Sequence, residues 1–328
     1  MPFFHRESPE ERQRKEQAQA AAQQEADLQA RSLQALTAGG LPVRAQERIA
    51  QIRSGQGGAA PFTSDLSINE FLLTRNAGYE PLGLVTGSSV YHIGWNQWTF
   101  TGEMEAQTRA QHDAARAALD RMRQEAAGMG ASGVVGTKLE ITAKGWSEDL
   151  IEVTAIGTAI SVPGSGTPGA PFLSDFSAQE FVSLLHAGGR PAGIVIGNCT
   201  YYIYTNWGDS WQNSSWYNQE HQKYTESLYA AQRKAFGRMH DQAHQMRAHG
   251  VVGVHIVRRL REIPRTDSND NERTDYILSY LSWGTAILQA PGAARPQAPA
   301  MLIDLSEADG LAEFTNNEAI AGLEGEKE

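Results

Sequence analysis

The sequence predicts an α+β protein that contains two tandem two-layer α/β repeats, preceded by a polar helix and followed by a disordered tail. Three observations support this prediction: a capped segment occurs twice, a long amphipathic helix follows each copy, and two β-rich strands close each copy. The copies begin at Pro61 and Pro171, an offset of 110 residues (171 − 61). Across positions 61–91, 14 of 31 residues match their counterparts. Chance identity is roughly one in fifteen at ordinary residue usage, so the repeat is a duplication.

Each copy predicts a short capped helix that leads into a strand. Ser67 stands three residues before Glu70, which is the spacing of a capping box, and Ser177 precedes Glu180 in the same way. In a capping box the hydroxyl and the carboxylate satisfy free N–H groups of the first helical turn. A glycine then follows each helix where a left-handed residue would end it: Gly78 and Gly188.

The remaining elements of each repeat are predicted to be a strand, a long helix and two antiparallel strands. In the first repeat these elements span 82–93, 103–128, 132–141 and 150–161. Apolar residues at i, i+3, i+7 and i+10 indicate the helix face that packs on the sheet. They are Leu119, Met122, Ala126 and Met129 in the first repeat and Phe236, Met239, Ala243 and Met246 in the second.

The repeats divide the chain into five parts. Residues 1–60 are predicted to be a polar helical arm and linker, 61–162 the first repeat, 163–170 a Gly/Pro/Ser linker, 171–289 the second repeat, and 290–328 an acidic disordered tail. The helix predicted for residues 8–37 is either solvated or a docking or self-association arm. The apolar island Met301–Leu305 in the tail could dock on a partner or back on the chain. A protein partner could therefore use the arm or the tail.

Composition excludes several classes of protein. The chain has no apolar run of 18 residues, so no membrane span is predicted. A net charge of −10 argues against a nucleic-acid binder, because phosphate contacts need clustered Lys and Arg. The single cysteine, Cys199, cannot form an internal disulfide and is expected to be a buried small hydrophobe. Together with a start that lacks an apolar signal segment, this favours a cytoplasmic protein.

Motifs shared by both copies resemble those of a known family. They are 83–87 and 193–197 in the opening strand, 130–136 and 250–253 around Gly-Val-Val-Gly, and 157–159 and 284–286 with Gly-Thr-Ala. Their order resembles the YbjQ family, small bacterial domains labelled as heavy-metal-binding. The resemblance covers 61–162 and 171–289. It implies one helix packed on a small antiparallel sheet.

The same resemblance implies ring-shaped homo-oligomers, which look pentameric in this family. Two-repeat chains cannot evenly fill a ring of five repeats, so five chains with ten repeats are the simpler closed assembly. The residues themselves add one expectation about packing. The glycines of the two Gly-Val-Val-Gly motifs are expected to let each long helix lie close over its sheet: Gly133, Gly136, Gly250 and Gly253.

The candidate metal site is the pair His240 and His244, which stand at i and i+4 on one helical face. Paired imidazoles at this spacing can bind a divalent transition metal such as Zn, Ni or Cu. The first repeat has Arg123 and Ala127 at the equivalent positions, so the pair is not a property of the fold. Surface histidines without a metal are the alternative.

Two aromatic runs are candidate interface or ligand surfaces. Large rigid rings contribute contact area at a low cost in conformational entropy. The candidates are Trp95, Trp98, Tyr201, Tyr202, Tyr204, Trp207, Trp211 and Trp216. The rings could instead cover the end of the sheet or a subunit seam.

No nucleotide-binding motif and no Ser/His/Asp or Cys/His arrangement is visible, so the protein is not predicted to be an enzyme. The first hypothesis is a ring-forming oligomeric scaffold or binding protein. A heavy-metal-binding protein that uses the histidine pair is the second, and an uncharacterised enzyme is the third.

Overall fold

The computed structural model describes residues 9–54, 63–92, 100–143, 150–162, 170–206, 221–266, 272–289, 301–304 and 312–315. These residues form two strand-and-helix units in tandem, which confirms the predicted α+β class. Within the described residues, no helix is long and apolar enough to cross a membrane.

The helices and strands follow the predicted order. The amino-terminal arm contains α1 (Pro9–Thr37) and α2 (Val43–Ser54). Repeat one contains α3 (Ile68–Asn76), β1 (Glu80–His92), β2 (Gly102–Glu103), α4 (Glu105–Gly128), β3 (Gly133–Ala143) and β4 (Leu150–Ser161). Repeat two contains β5 (Phe172–Leu173), α5 (Ala178–His186), β6 (Gly189–Ile203), α6 (Gln222–Gln245), β7 (Gly250–Thr266) and β8 (Glu272–Gln289). In the tail expected to be disordered, β9 (Met301–Asp304) pairs antiparallel with β10 (Ala312–Thr315).

Each repeat lends a short strand to the sheet of the other. Sheet 1 has the order β1-β4-β3-β5, and sheet 2 has the order β2-β6-β8-β7. β5 comes from repeat two but runs parallel to β3, with Leu173 opposite Val134. β2 comes from repeat one but pairs with β6, with Gly102 opposite Tyr202. The two repeats are therefore joined through their backbones.

The helix α4 is packed between the two sheets. On one side, Ser89 of β1 donates from its hydroxyl to the carbonyl of Ala114 (2.6 Å). On the other side, the backbone N–H of Thr200 in β6 donates to the hydroxyl of Thr108 (2.9 Å). The apolar core around α4 draws on both sheets: Ala115, Leu119, Met122, Val85, Leu139, Ile194, Ile196, Leu281 and Trp283.

The helix α6 packs on the other face of sheet 2. Its buried face contacts alternate residues of the same strands: Ala231, Ala235, Met239 and Ala243 against Val195, Cys199, Leu278 and Tyr280. Sheet 2 is therefore covered by a helix on both faces, whereas α4 is the one helix of the described residues that contacts both sheets in depth.

Close helix packing depends on one glycine in each opening strand. A Cβ atom at Gly87 would overlap the carbonyl oxygen of Ala118 in α4. A Cβ atom at Gly197 would overlap the carbonyl oxygen of Ala235 in α6. The expectation that the Gly-Val-Val-Gly glycines serve this purpose is wrong.

Those glycines serve the strand edges instead. Gly136 and Gly253 have φ angles of 65° and 67°, where an L side chain is strained, and each lies in a register shift between its strand and the central strand. A Cβ atom at Gly133 would overlap the ring of Phe172 beside it.

Both capping boxes are present, with Ser67 and Ser177 bonded reciprocally to Glu70 and Glu180. The left-handed residues Gly78 and Gly188 also follow as predicted. The helix α4 begins two residues later than expected. Glu103 pairs in β2, and the N–H of Met104 donates to the carbonyl of Thr200 (2.8 Å).

The amino-terminal arm is attached through α2. Arg48 donates to the buried carboxylate of Glu125 on α4, and the same carboxylate accepts the N–H of Thr86 in β1 (2.5 Å). Arg44 pairs with Glu25 of α1 (2.6 Å), which otherwise is largely exposed. The arm therefore has a docked part, α2, and a mostly solvated part, α1.

We expect Gly197→Ala to lower the free energy of unfolding by about 2 kcal/mol, because the methyl group must displace the α6 backbone. The matched control is Gly237→Ala on an open side of α6, where no atom lies near the new methyl group. The control should stabilise the helix by up to about 1 kcal/mol. Denaturant unfolding of both variants tests the packing, and equal stabilities would contradict it.

Candidate functional site

The predicted metal ligands His240 and His244 lie together on the exposed side of α6. Their ring centroids are 4.4 Å apart, with the rings edge to face. In the part of the chain that the structure describes, no group of three or more His, Cys, Asp and Glu side chains is placed to hold a metal ion. The pair alone supplies two imidazole ligands, and metal binding at this pair stays a prediction.

The tyrosines of the second aromatic run lie on β6 and just beyond it. Tyr202 is buried, whereas Tyr201 and Tyr204 are half-buried. The guanidinium of Arg265 lies 4.3 Å from the centroid of the Tyr204 ring, a cation–π contact. The tryptophan candidates of both runs lie outside the described residues: Trp95, Trp98, Trp207, Trp211 and Trp216.

A buried aspartate organises this end of sheet 2. Asp275 accepts hydrogen bonds from the hydroxyl of Tyr202 (2.8 Å), the N–H of Thr205 (2.7 Å) and Nε of Arg265 (2.7 Å). Burial raises the pKa of Asp275, but the Arg265 charge and these hydrogen bonds outweigh it and bring the pKa below its ordinary value. Burial and the Asp275 contact raise the pKa of the Tyr202 hydroxyl.

The cluster borders an open cleft of about 520 Å³. The cleft lies at the far end of the β7–β8 hairpin, where repeat two is longer than repeat one. Its lining is mainly polar and includes Thr205, Arg265, Glu272, Arg273 and Tyr276. The aromatic run is therefore partly a packing element, as one of the two interpretations of the sequence expected.

A second candidate site forms where the duplicated segments meet. In repeat two, the N–H of Asp175 donates to the hydroxyl of Thr285 (3.0 Å), and that hydroxyl also contacts the Asp175 carboxylate. The other carboxylate oxygen lies 3.3 Å from Nε2 of His255, close enough for an ion pair when the imidazole is protonated. The His255 ring stacks on Trp283, with centroids 5.3 Å apart.

Repeat one holds an equivalent arrangement with a different base. The N–H of Asp65 donates to the hydroxyl of Thr158 (3.3 Å), and the Asp65 carboxylate pairs with Nζ of Lys138 (2.6 Å). The offsets of 110, 117 and 127 residues relate the three positions to those of repeat two. A permanently charged amine in one repeat thus replaces a titratable imidazole in the other.

Both arrangements line one cleft of about 350 Å³, which contains residues of α3 and α5. The capping carboxylates of Glu70 and Glu180 also line it, beside Lys138 and His255. Within the described part of the chain, no Ser, Thr or Cys side chain hydrogen-bonds to His255. The cleft can bind a small polar or cationic ligand, but it lacks a recognisable nucleophile.

Burial makes the two buried aspartates behave differently. The Asp175 side chain is fully buried, and one of its oxygens accepts no hydrogen bond within the described residues. Burial raises the pKa of Asp175, although the bond from Thr285 and the nearby His255 act in the opposite direction. Ionised Asp175 is therefore disfavoured by the fold, whereas ionised Asp275 is favoured.

Sequence reasoning found the duplicated segment but read its aspartates only as neighbours of the helix caps. A signal was present, since Asp, Lys or His, and Thr recur at the three constant offsets. Their contact could not be inferred, because it depends on the register of three separate strands. Cys199 is buried as expected, and burial raises the pKa of its thiol to about 12, which makes a thiolate ligand unfavourable.

Comparison with known proteins identifies relatives in bacteria. A YbjQ family model, described as "Putative heavy-metal-binding", matches residues 80–163 and 192–286. The chain is 38% identical over 205 residues to the "Encapsulin nanocompartment protein Rv1762c" of Mycobacterium tuberculosis, covering 60% of this chain and 77% of the relative. It is 35% identical over 91 residues to a "UPF0145 protein" of Helicobacter hepaticus, covering 26% and 86% respectively. No solved structure gives a significant match.

We expect Asp275→Asn and Asp175→Asn to affect stability in different directions. At neutral pH, Asp275→Asn should cost about 3 kcal/mol, because it leaves the Arg265 charge without its partner. Asp175→Asn should leave stability unchanged or raise it, because it removes a buried charge that the fold disfavours.

Urea unfolding at several pH values measures both effects. Since the folded pKa of Asp275 is lowered, its contribution is present above its unfolded pKa and is lost as the pH falls through the folded value. The cost of Asp275→Asn should therefore shrink in acid. A large loss from Asp175→Asn at neutral pH would contradict the assignment.

Proposed function

The chain belongs to the YbjQ family, and from this premise we propose that it is a non-enzymatic scaffold or binding protein that assembles with copies of itself into a ring. The observation that carries the proposal is the unequal burial of equivalent residues in the two repeats. Repeat two covers a surface of repeat one, and the same surface of repeat two is left open.

The open surface on repeat two lies on β7. Ile256 is 46% exposed, whereas Leu139, its counterpart on β3, is 8% exposed and belongs to the core around α4. Val254 is 41% exposed, whereas its counterpart Thr137 is 2% exposed. Sheet 2 covers the residues on β3, and no described residue covers those on β7 to the same degree.

The complementary surface lies on repeat one. Val90 on β1 is exposed, whereas its counterpart Thr200 is buried under α4 and bonds to Thr108. On the α3 helix, Ile68 is 80% exposed, whereas its counterpart Ala178 is fully buried. Each end of the chain therefore exposes the partner surface of the other end.

A second copy of the chain fits this arrangement. Its repeat one would contact repeat two of the first copy in the way that repeat two contacts repeat one within the chain. Such a head-to-tail interface is heterologous, and it produces a ring when the rotation closes. We propose a closed ring, with five chains and ten repeats as the simplest form consistent with a family of pentamers.

We expect the purified protein to give a native mass that is a whole multiple of 35.8 kDa. Ile256→Asp should reduce that mass toward the monomer, because a carboxylate would be buried without a partner in the interface. Leu33→Asp is the matched control, since Leu33 is equally apolar and exposed but lies on α1. A monomeric unmodified protein would refute the ring, and dissociation by the control alone would assign the contact to α1.

A second candidate function is metal binding by His240 and His244. The 4.4 Å separation of the imidazole rings and the printed description of the family support it. Both side chains are exposed on α6, so a third ligand would have to come from solvent or another molecule.

Native mass spectrometry with one equivalent of zinc chloride tests this candidate. We expect a zinc adduct that a chelator removes and that His240→Ala abolishes, with His186→Ala on α5 as the single-histidine control. An adduct that persists in His240→Ala would remove this pair from consideration. An assembly mass unaffected by the chelator would show that metal is not needed for the ring.

The similarity to the Mycobacterium tuberculosis relative supports a cellular setting. That protein is named for an encapsulin nanocompartment, and we extend the association to this chain on the strength of 38% identity over 60% of its length. Co-expression with the encapsulin of that organism, followed by sedimentation, tests it. Co-sedimentation supports the association, and a chain that stays in the supernatant argues against it.

A further inference from the structure

We infer that the duplicated segment of one copy, residues 63–66, adds as a parallel strand to the open edge of β7, residues 251–254, in the next copy. This inference rests on the proposed self-assembly and specifies its backbone contact. The occupant is a second copy of this chain, because the chain already contains the same contact once.

The contact within the chain joins the second duplicated segment to β3. The N–H of Ser174 donates to the carbonyl of Val134 (2.9 Å), and the N–H of Thr137 donates to the carbonyl of Ser174 (2.9 Å). One turn of the pattern further, the N–H of Gly136 donates to the carbonyl of Phe176 (2.7 Å). These bonds close the edge of sheet 1.

The constant offsets transfer this register to the open edge. Subtracting 110 converts Ser174 and Phe176 into Ser64 and Leu66. Adding 117 converts the β3 residues into Val251, Gly253 and Val254. The expected bonds therefore run from the N–H of Ser64 to Val251, from the N–H of Val254 to Ser64, and from the N–H of Gly253 to Leu66.

Both edges are open in the described chain. β7 lies at the end of sheet 2 and pairs with β8 only. No hydrogen bond to the backbone of Ser64 or to the carbonyl of Leu66 is found within the described residues. Side-chain burial agrees, since Val252 is 39% exposed, whereas its counterpart Val135 is fully buried beneath α5 and the second segment.

The backbone of β7 already has the shape that the contact needs. The register between β3 and β4 shifts from Val135 to Lys138, and the register between β7 and β8 shifts from Val252 to His255. Within each shift a glycine has the same left-handed conformation. The N–H groups that follow are therefore directed away from the central strand in both repeats.

The segment in repeat one is also pre-formed. The hydroxyl of Ser64 accepts the N–H of Leu66 (2.9 Å), as the hydroxyl of Ser174 accepts the N–H of Phe176 (3.2 Å). The bond from Asp65 to Thr158 holds it to its own sheet, as described above. Because little chain must be ordered on binding, strand addition here costs little conformational entropy.

A disulfide trap in the full chain tests the register. Leu173 lies opposite Val134 within the chain, so Thr63 of one copy should lie opposite Val251 of the next. The double variant Thr63→Cys/Val251→Cys should form a ladder of covalent oligomers under mild oxidation, with loss of the monomer band on a non-reducing gel. Directly opposed strand residues are within the Cα distance that a disulfide requires.

Two controls bracket the result. Leu173→Cys/Val134→Cys should form an intramolecular disulfide, which shows that the geometry permits the bond. Thr63→Cys/Arg258→Cys places the second cysteine seven residues further along β7, about 23 Å away at the usual rise of a strand, and should give no ladder. Cys199 is buried with a raised thiol pKa, so it should not compete.

The outcomes separate this inference from the proposed function. A ladder in the first variant and none in the shifted control supports the strand addition. An assembly visible by native mass without the ladder overturns the register but leaves self-assembly in place. A monomeric protein overturns both. A ladder that requires another protein in the preparation would assign the edge to a different partner and would also overturn the inference.

Discussion

The packing of α4 between two sheets is the constraint on which the rest of the structure depends. A helix with one apolar face can be buried by a single sheet, but α4 presents two faces, one toward Ala118 and Gly87 and one toward Thr108 and Thr200. Repeat one is therefore incomplete without repeat two. The exchanged strands β2 and β5 follow from this, because sheets held on either side of one helix bring their edges together.

The duplication also explains why the exposed surface is uneven. Two copies of one unit form one contact between them and leave one half of that contact at each end of the chain. The apolar residues at the free ends retain the character of an interface, as Ile68 and Ile256 show. Solvent-exposed β-branched residues along a strand edge are otherwise a liability, so their presence favours a partner that covers them.

Within this shared frame the two repeats differ in their charges. The same backbone positions hold an Asp–Lys pair in one repeat and an Asp–His pair in the other, and both contribute to one cleft. The family description points to metal, yet the described residues hold no three-ligand cluster. Any ligand of this cleft must therefore be recognised mainly by hydrogen bonds and charge. Assembly would create a second junction of the same kind between neighbouring copies.

The sequence by itself determined the local structure: the capping boxes at Ser67 and Ser177, the helix ends at Gly78 and Gly188, and the sheet-facing stripe on each long helix. These features depend on residues within a few positions of one another, and so their spacing is visible along the chain. Only the tertiary structure decided which glycine admits each helix, that Asp65 meets Lys138, and that α4 serves both sheets. Those contacts join residues 30 to 110 positions apart, and their geometry follows from strand register and helix placement, which local patterns do not encode.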